Sequence, residues 1–338
     1  MSNSIVSYPY GPFLTHDLDQ TYGAKYLEPS DIAHASQVCK QWKLVFSDQN
    51  LWKALSKKEG IPLVKRANGE VLNCKETFQV LYPITLSGRK ISQYIGTVYE
   101  EIPYISEERF NELNEPDSYE TGKLKKETWV FVVVPSYVLR TASQDTPLAL
   151  DEEGNLVENQ QTAATEKKQL KISLSLKNLK ILCSYPLRGK ENTPVFDEDS
   201  SAEVFNQCNT CPDKVRVYFM RKHIADQSRG MNYFNQVELV KRHGFEVTPL
   251  RERSLFDSIT ILDSGTCPDD RNPPTYARNP DTVRNGGRVY QSVIGGFTRS
   301  GVLVSCSNDA FVGIGVVPGV PAEVPAIGTE RKRKYACF

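Results

Sequence analysis

Cys208-Asn-Thr-Cys211 is the pair of sulfurs closest in sequence among eight cysteines, at 39, 74, 183, 208, 211, 267, 306 and 337. Two intervening residues is the spacing of metal ligands and of redox dithiols, because both sulfurs then reach one small volume. His223, His243 and Cys267 could complete a tetrahedral set around that pair. A structural zinc needs a second close pair, which the chain lacks, and no helix N-cap pattern directly follows Cys211 to support a redox role. Cys208 and Cys211 are therefore candidates only; two unremarkable thiols is the preferred reading, with no metal and no cofactor.

Covalent catalysis would need a thiolate beside a base. Cys267 or Cys183 could serve as nucleophile with a distant histidine. The histidines do not single out a base. His16 and His34 fall in a small helical region, while His223 and His243 sit among Arg221, Lys222, Lys241 and Arg242, as on a solvated basic face. Gly-x-Ser-x-Gly, His-Glu-x-x-His and phosphate-loop patterns are absent from the sequence. The expectation is a protein without a catalytic set; an enzymatic domain built around the Cys208/Cys211 region is the alternative.

Residues that do no chemistry must then act by contact, and the spacing of apolar residues in 13–55 suits that. A first helix starts near Thr15 and aligns Leu14, Leu18, Tyr22 and Tyr26. Pro29 interrupts it, and Ser30 or Asp31 caps a second helix over about 31–46. There Ile32, Ala35, Val38, Cys39, Trp42, Val45 and Phe46 form one stripe at intervals of three and four. Asp48 caps a third helix with Leu51, Trp52 and Leu55 on a face, and Gly60 supplies its left-handed stop. Three short helices in about 45 residues are near the lower limit for a self-sufficient core. The surplus apolar surface calls for a partner.

This stretch resembles the F-box, the adaptor-binding module of Skp–cullin–F-box ubiquitin ligases. Leu27-Glu-Pro29-Ser-Asp31-Ile32, Val38-Cys39-Lys40-Gln-Trp42 and Asp48-Gln-Asn-Leu51-Trp52 follow the family pattern in order and spacing. Thr15 stands where proline is usual, and Tyr22-Gly23 replaces Ile-Phe. The resemblance implies adaptor contacts through Leu14, Leu18, Pro29, Ile32, Val38, Trp42, Leu51 and Trp52. It implies a Skp-type adaptor and, through it, a cullin as partners, and a target protein held by the rest of the chain. TWVFVVVP, ARNPDTVR and VGIGVVPGVPAEV further resemble the C-terminal half of F-box-like proteins of amoeba-associated chlamydiae, which implies a bacterial effector acting in host cytoplasm.

The rest of the 338 residues reads as follows. Residues 1–12 are an irregular lead-in, 13–60 the helical module and 61–85 a connector with a helix at 75–81. Residues 86–328 form a mixed α+β domain, and 329–338 a basic tail whose Arg331–Lys334 run is solvated. Thr128–Val134 reads as a strand covered on both faces. Residues 142–168 and 188–201 are polar loops; 169–178 is a helix and 181–185 a strand. Strand 214–220 is followed by a helix at 229–243 capped by Ser228, with Met231, Phe234, Val237 and Val240 inward. A strand at 245–247, an amphipathic helix at 249–262 and strands at 288–294, 302–306 and 311–317 complete it. Gly286-Gly287 and Gly295-Gly296 mark turns or bulges. No fixed-period repeat occurs, so a repeat-built receptor is not expected. Lys and Arg total 41 and Asp and Glu total 41, which excludes a chain-wide footprint for nucleic acid or anionic membrane. No run approaches the ~20 apolar residues of a membrane span. The start lacks a secretory signal pattern, so a cytoplasmic protein with reduced thiols is expected.

Overall fold

The computed structural model describes residues 28, 31, 34, 46–142, 148–158, 168–188, 194–269, 275–298, 301–308, 310 and 312–323. Its helices are α1 (Gln49–Glu59), α2 (Cys74–Leu81), α3 (Gly88–Tyr94), α4 (Glu107–Asn111), α5 (Lys125–Thr128), α6 (Leu176–Ser184), α7 (Ala202–Gln207), α8 (Tyr233–Arg242) and α9 (Leu250–Ser264). Strands β1 (Val64–Lys65), β2 (Thr85–Leu86), β3 (Ile105–Ser106), β4 (Trp129–Val134) and β5 (Tyr137–Ala142) come first. They are followed by β6 (Leu148–Leu150), β7 (Leu156–Glu158), β8 (Lys168–Ser173), β9 (Arg216–Arg221) and β10 (Glu246–Val247). Last come β11 (Tyr276–Asn285), β12 (Arg288–Thr298), β13 (Gly301–Ser307), β14 (Ile314–Val316) and β15 (Pro318–Pro321). The class is α+β, as expected.

The core forms around β4, because WVFVVV has no polar residue to turn outward and all six positions are buried. It lies inside a five-stranded sheet ordered β10-β15-β9-β4-β2, antiparallel to β9 and parallel to β2. A second sheet is ordered β13-β12-β11-β14. Helix α9 touches β4 of the first sheet and β11 and β12 of the second. Eleven of its fifteen residues are buried. The sequence suggests an amphipathic helix; the two-sided burial makes it a central one, and Arg253, Ser254, Asp257 and Ser258 lie inside.

Several expectations need correction. Residues 168–173 are a strand, antiparallel to β5, because Leu170 and Ile172 alternate inward. The apolar residues that followed belong to α6, which Ser175 caps by accepting from Asn178 N, so no strand exists at 181–185. The helix expected at 229–243 begins at Tyr233, capped by Asn232; Ser228 instead ends a short 3-10 turn and is buried. That shift rotates Phe234 outward to 72% exposure while Val240 stays in the core. The expected connector is part of the body, since Thr85 and Leu86 pair with Phe131 and Val132. Strand β11 went unread because Pro280 and Asp281 interrupt its alternation. The lead-in, the basic tail and nearly all of the first two helices of the module, with Leu14, Leu18, Pro29, Ile32, Val38 and Trp42, lie outside the described residues, as do 143–147, 159–167 and 189–193 of the two expected polar loops; within the first of these loops, 148–158 forms a hairpin of β6 and β7.

Candidate adaptor-docking module

The described part of the small module is α1 and its anchorage. Asp48 caps the helix by accepting from Asn50 N at 2.7 Å. At the other end Gly60 adopts φ 65°, and its N–H and that of Ile61 donate to Lys57 O and Ser56 O. Lys57 and Lys58 in the last turn complement the helix dipole. These are the cap and stop that the sequence predicts.

Leu51 and Trp52 were expected to face an adaptor. The structure places them in this chain's own core, at 1% and 2% exposure. Trp52 Nε1 donates to Phe46 O at 2.8 Å, and its ring tilts on Phe78 of α2 with centroids 5.4 Å apart. The solvent face of α1 instead carries Gln49, Asn50, Lys53 and Lys57. Tryptophan at helical spacing is a core residue more often than an interface residue, and here the core is made with α2.

Polar contacts lock the same junction. Gln49 Oε1 accepts from Cys74 N at 2.6 Å, while its Nε2 donates to Asn73 Oδ1 at 3.1 Å. Arg89 on α3 holds Glu28 through Nη2 at 3.0 Å and Glu59, buried at 3%, through Nη1. The hydrogen bond from Arg89 holds the Glu28 carboxyl below its ordinary range despite partial burial. Gly60 and Gly88 meet backbone to backbone: a Cβ on Gly60 would lie 2.7 Å from Gly88 Cα. Only glycine fits there. Sequence reasoning missed Arg89, Glu28 and Glu59, since nothing in a single sequence pairs residues 30 and 61 apart.

The thiols do not converge on a site. Cys208 Sγ lies 4.0 Å from Thr282 O, whereas Cys211 Sγ donates to Ser136 O at 2.9 Å. Burial pushes the Cys208 thiol up to about 12 and raises that of Cys211. Burial also holds Cys183 up to about 12 and pushes Cys267 well above the ordinary range, so all four favour the neutral thiol. His223 turns to Asp269, Nδ1 to Oδ1 3.5 Å, and His243 packs edge-on against Tyr119. Among the described residues no group of three or more His, Cys, Asp or Glu is placed to hold a metal. Among them, too, no helix is long and apolar enough to cross a membrane.

Residues 24–58 match the family model of the F-box-like domain, a match that ends at Lys58 in the last turn of α1. The chain thus carries an F-box-like segment at 24–58, followed by a large α+β body. No curated protein and no solved structure matches it.

Proposed function

We propose that this protein is a non-catalytic substrate receptor of a Skp–cullin ubiquitin ligase. Residues 13–60 dock a Skp-type adaptor through Leu14, Leu18, Pro29, Ile32, Val38 and Trp42. Leu51 and Trp52 serve the same function indirectly, by fixing the module to the body. Residues 86–328 hold the target, and the protein acts by proximity, raising the local concentration of target beside the cullin-bound enzyme. The resemblance of its C-terminal half to chlamydial F-box-like proteins supports an effector that works in host cytoplasm.

The observation that carries this reading is the F-box-like match at 24–58, ending on a helix built into the body. Copurification with a Skp-type adaptor tests it. Leu14→Ala and Ile32→Ala variants with unchanged melting temperatures should recover at least tenfold less adaptor. Equal recovery of wild type and both variants would remove the adaptor role.

A further inference from the structure

A cavity of about 280 Å³ opens at the first turn of α9, away from the module. Four separate pieces of chain wall it: Thr210 and Cys211 in the loop after α7, Arg216 at the start of β9, Arg251 and Glu252 on α9, and Asp281 on β11. Asp281 reaches it because β11 bulges. The ladder to β12 is in register at Arg278–Val293 and resumes at Thr282–Gln291, so Asn279, Pro280 and Asp281 stand opposite Ser292 alone. The bulge is pinned on both sides: Asn279 Nδ2 donates to Thr248 O at 2.9 Å, and Asp281 Oδ2 accepts from Leu250 N at 2.7 Å. Bulges of this kind re-aim a side chain, here a carboxylate into a cavity.

Both signs of charge in the cavity are incompletely answered. Glu252, 6% exposed, pairs with Arg251, 11% exposed, but the buried Nε–H of Arg251 has no acceptor among the described residues. Arg216 makes no ion pair among the described residues and stands exposed at the mouth. Burial, with Glu252 nearby, raises the Asp281 carboxyl and outweighs the pull of Arg251, while no ion pair to Asp281 forms among the described residues. A metal ion would meet two guanidinium groups, and a simple anion would meet two carboxylates. A ligand carrying a cation for Asp281 and a carboxylate for Arg216 and Arg251 answers both.

We propose that this cavity is a peptide subsite that takes an adjacent basic and acidic side chain from the recruited protein. The proposal rests on the substrate-receptor reading and names the chemistry of the target. Its volume is at the small end for a ligand site and suits one or two side chains. Its position suits it too. Helix α9 runs about 18 Å from Arg251 at this cavity to Asp263, at 1.5 Å per residue. There the carboxylate accepts from Lys90 Nζ at 2.6 Å and Tyr94 Oη at 2.5 Å on α3, the helix that holds the module. Target and adaptor would occupy opposite ends of one buried helix.

The test is calorimetric titration of the full chain with acetyl-Ala-Ala-Lys-Glu-Ala-Ala-amide, with Lys→Gln and Glu→Gln versions of that peptide, and with free arginine and free glutamate. The charge-pair peptide should bind at least fivefold more tightly than either single-charge peptide or either amino acid. Arg216→Ala and Asp281→Asn should each abolish that preference; the first removes an exposed side chain and the second keeps an acceptor for Leu250 N. Equal binding of all three peptides, retention of the preference in both variants, or tighter binding of a free amino acid would overturn the proposal. Adaptor recovery is measured on the same two variants. It should be unchanged, so that loss of the subsite and loss of adaptor docking remain separate results.

Discussion

Arg253 is 1% exposed and holds two carboxylates at once, Asp257 and Asp269, each through contacts of 2.8–2.9 Å. One guanidinium cannot neutralise both, and the remaining charge is resolved by protons. Asp269 stays low: burial would raise it, but Arg253 and His223 outweigh that. Burial instead pushes Asp257 up to about 6, against the pull of Arg253. The groups facing Asp257 are Arg253 on its own helix, Asp269 and Cys267 beyond the helix end, and His223 after β9. The sign follows from linkage. An acid with a raised folded pKa stabilises the fold fully below its unfolded value near 3.8, and that stabilisation is lost as pH rises through about 6. Two pKa units correspond to about 3 kcal/mol. Urea unfolding should therefore show stability rising as pH drops from 7 to about 4.5, and Asp257→Asn should flatten that slope. A wild-type profile that is flat over this range would contradict the assignment. None of this was legible in the sequence, where 249–262 reads only as an amphipathic helix. Spacing identifies a helix, but only the second sheet, brought over it by the fold, determines that both faces are buried.

At the scale of elements, the legible parts were those set by local physics. Asp48 and Gly60 bound α1, and the apolar run of β4 is buried throughout, since caps, stops and uninterrupted apolar strands need no tertiary information. The module's register of Leu51, Trp52 and Leu55 was legible for the same reason. What they face was not, because it depends on α2 and α3 closing over α1. That closure can be broken at single points. Arg89→Ala strips Glu59, 3% exposed, of its cation. The cost should be about 1–3 kcal/mol, below that of a fully buried pair because Arg89 itself is 31% exposed. Amide exchange should then speed up in α1 and leave β4 unchanged. Gly60→Ala combines a φ of 65° with a backbone clash at Gly88, and should cost more than the ~1 kcal/mol of the conformation alone, read as a lower melting temperature.

Across the whole molecule, module and body share one core. Trp52 tilts on Phe78, Phe78 stacks on Tyr82, and the chain then enters β2 at the edge of the central sheet. From β2 the sheet continues through β4, and α9 crosses it toward the charged cavity. A module tethered by a loose linker could be cut away without harm; this one cannot. Removing residues 1–60 would uncover Phe78, Leu81 and Ile91, which are at most 2% exposed, and would delete Leu51, Trp52 and Leu55 from the same cluster. Each of those three contributes roughly 2–3 kcal/mol by burial, a sum comparable to the whole stability of an ordinary domain. Residues 61–338 alone should therefore melt at least 10 °C lower than the full chain, or elute as an aggregate on size exclusion. The same logic separates two kinds of loss at the module. Trp52→Ala should lower stability by about 3–5 kcal/mol and reduce adaptor recovery only in proportion to the unfolded fraction. Ile32→Ala should reduce recovery with the melting temperature of the body intact. If Trp52→Ala instead left the melt unchanged while abolishing recovery, the tryptophan would have to be exposed to the adaptor, and the shared core would be wrong.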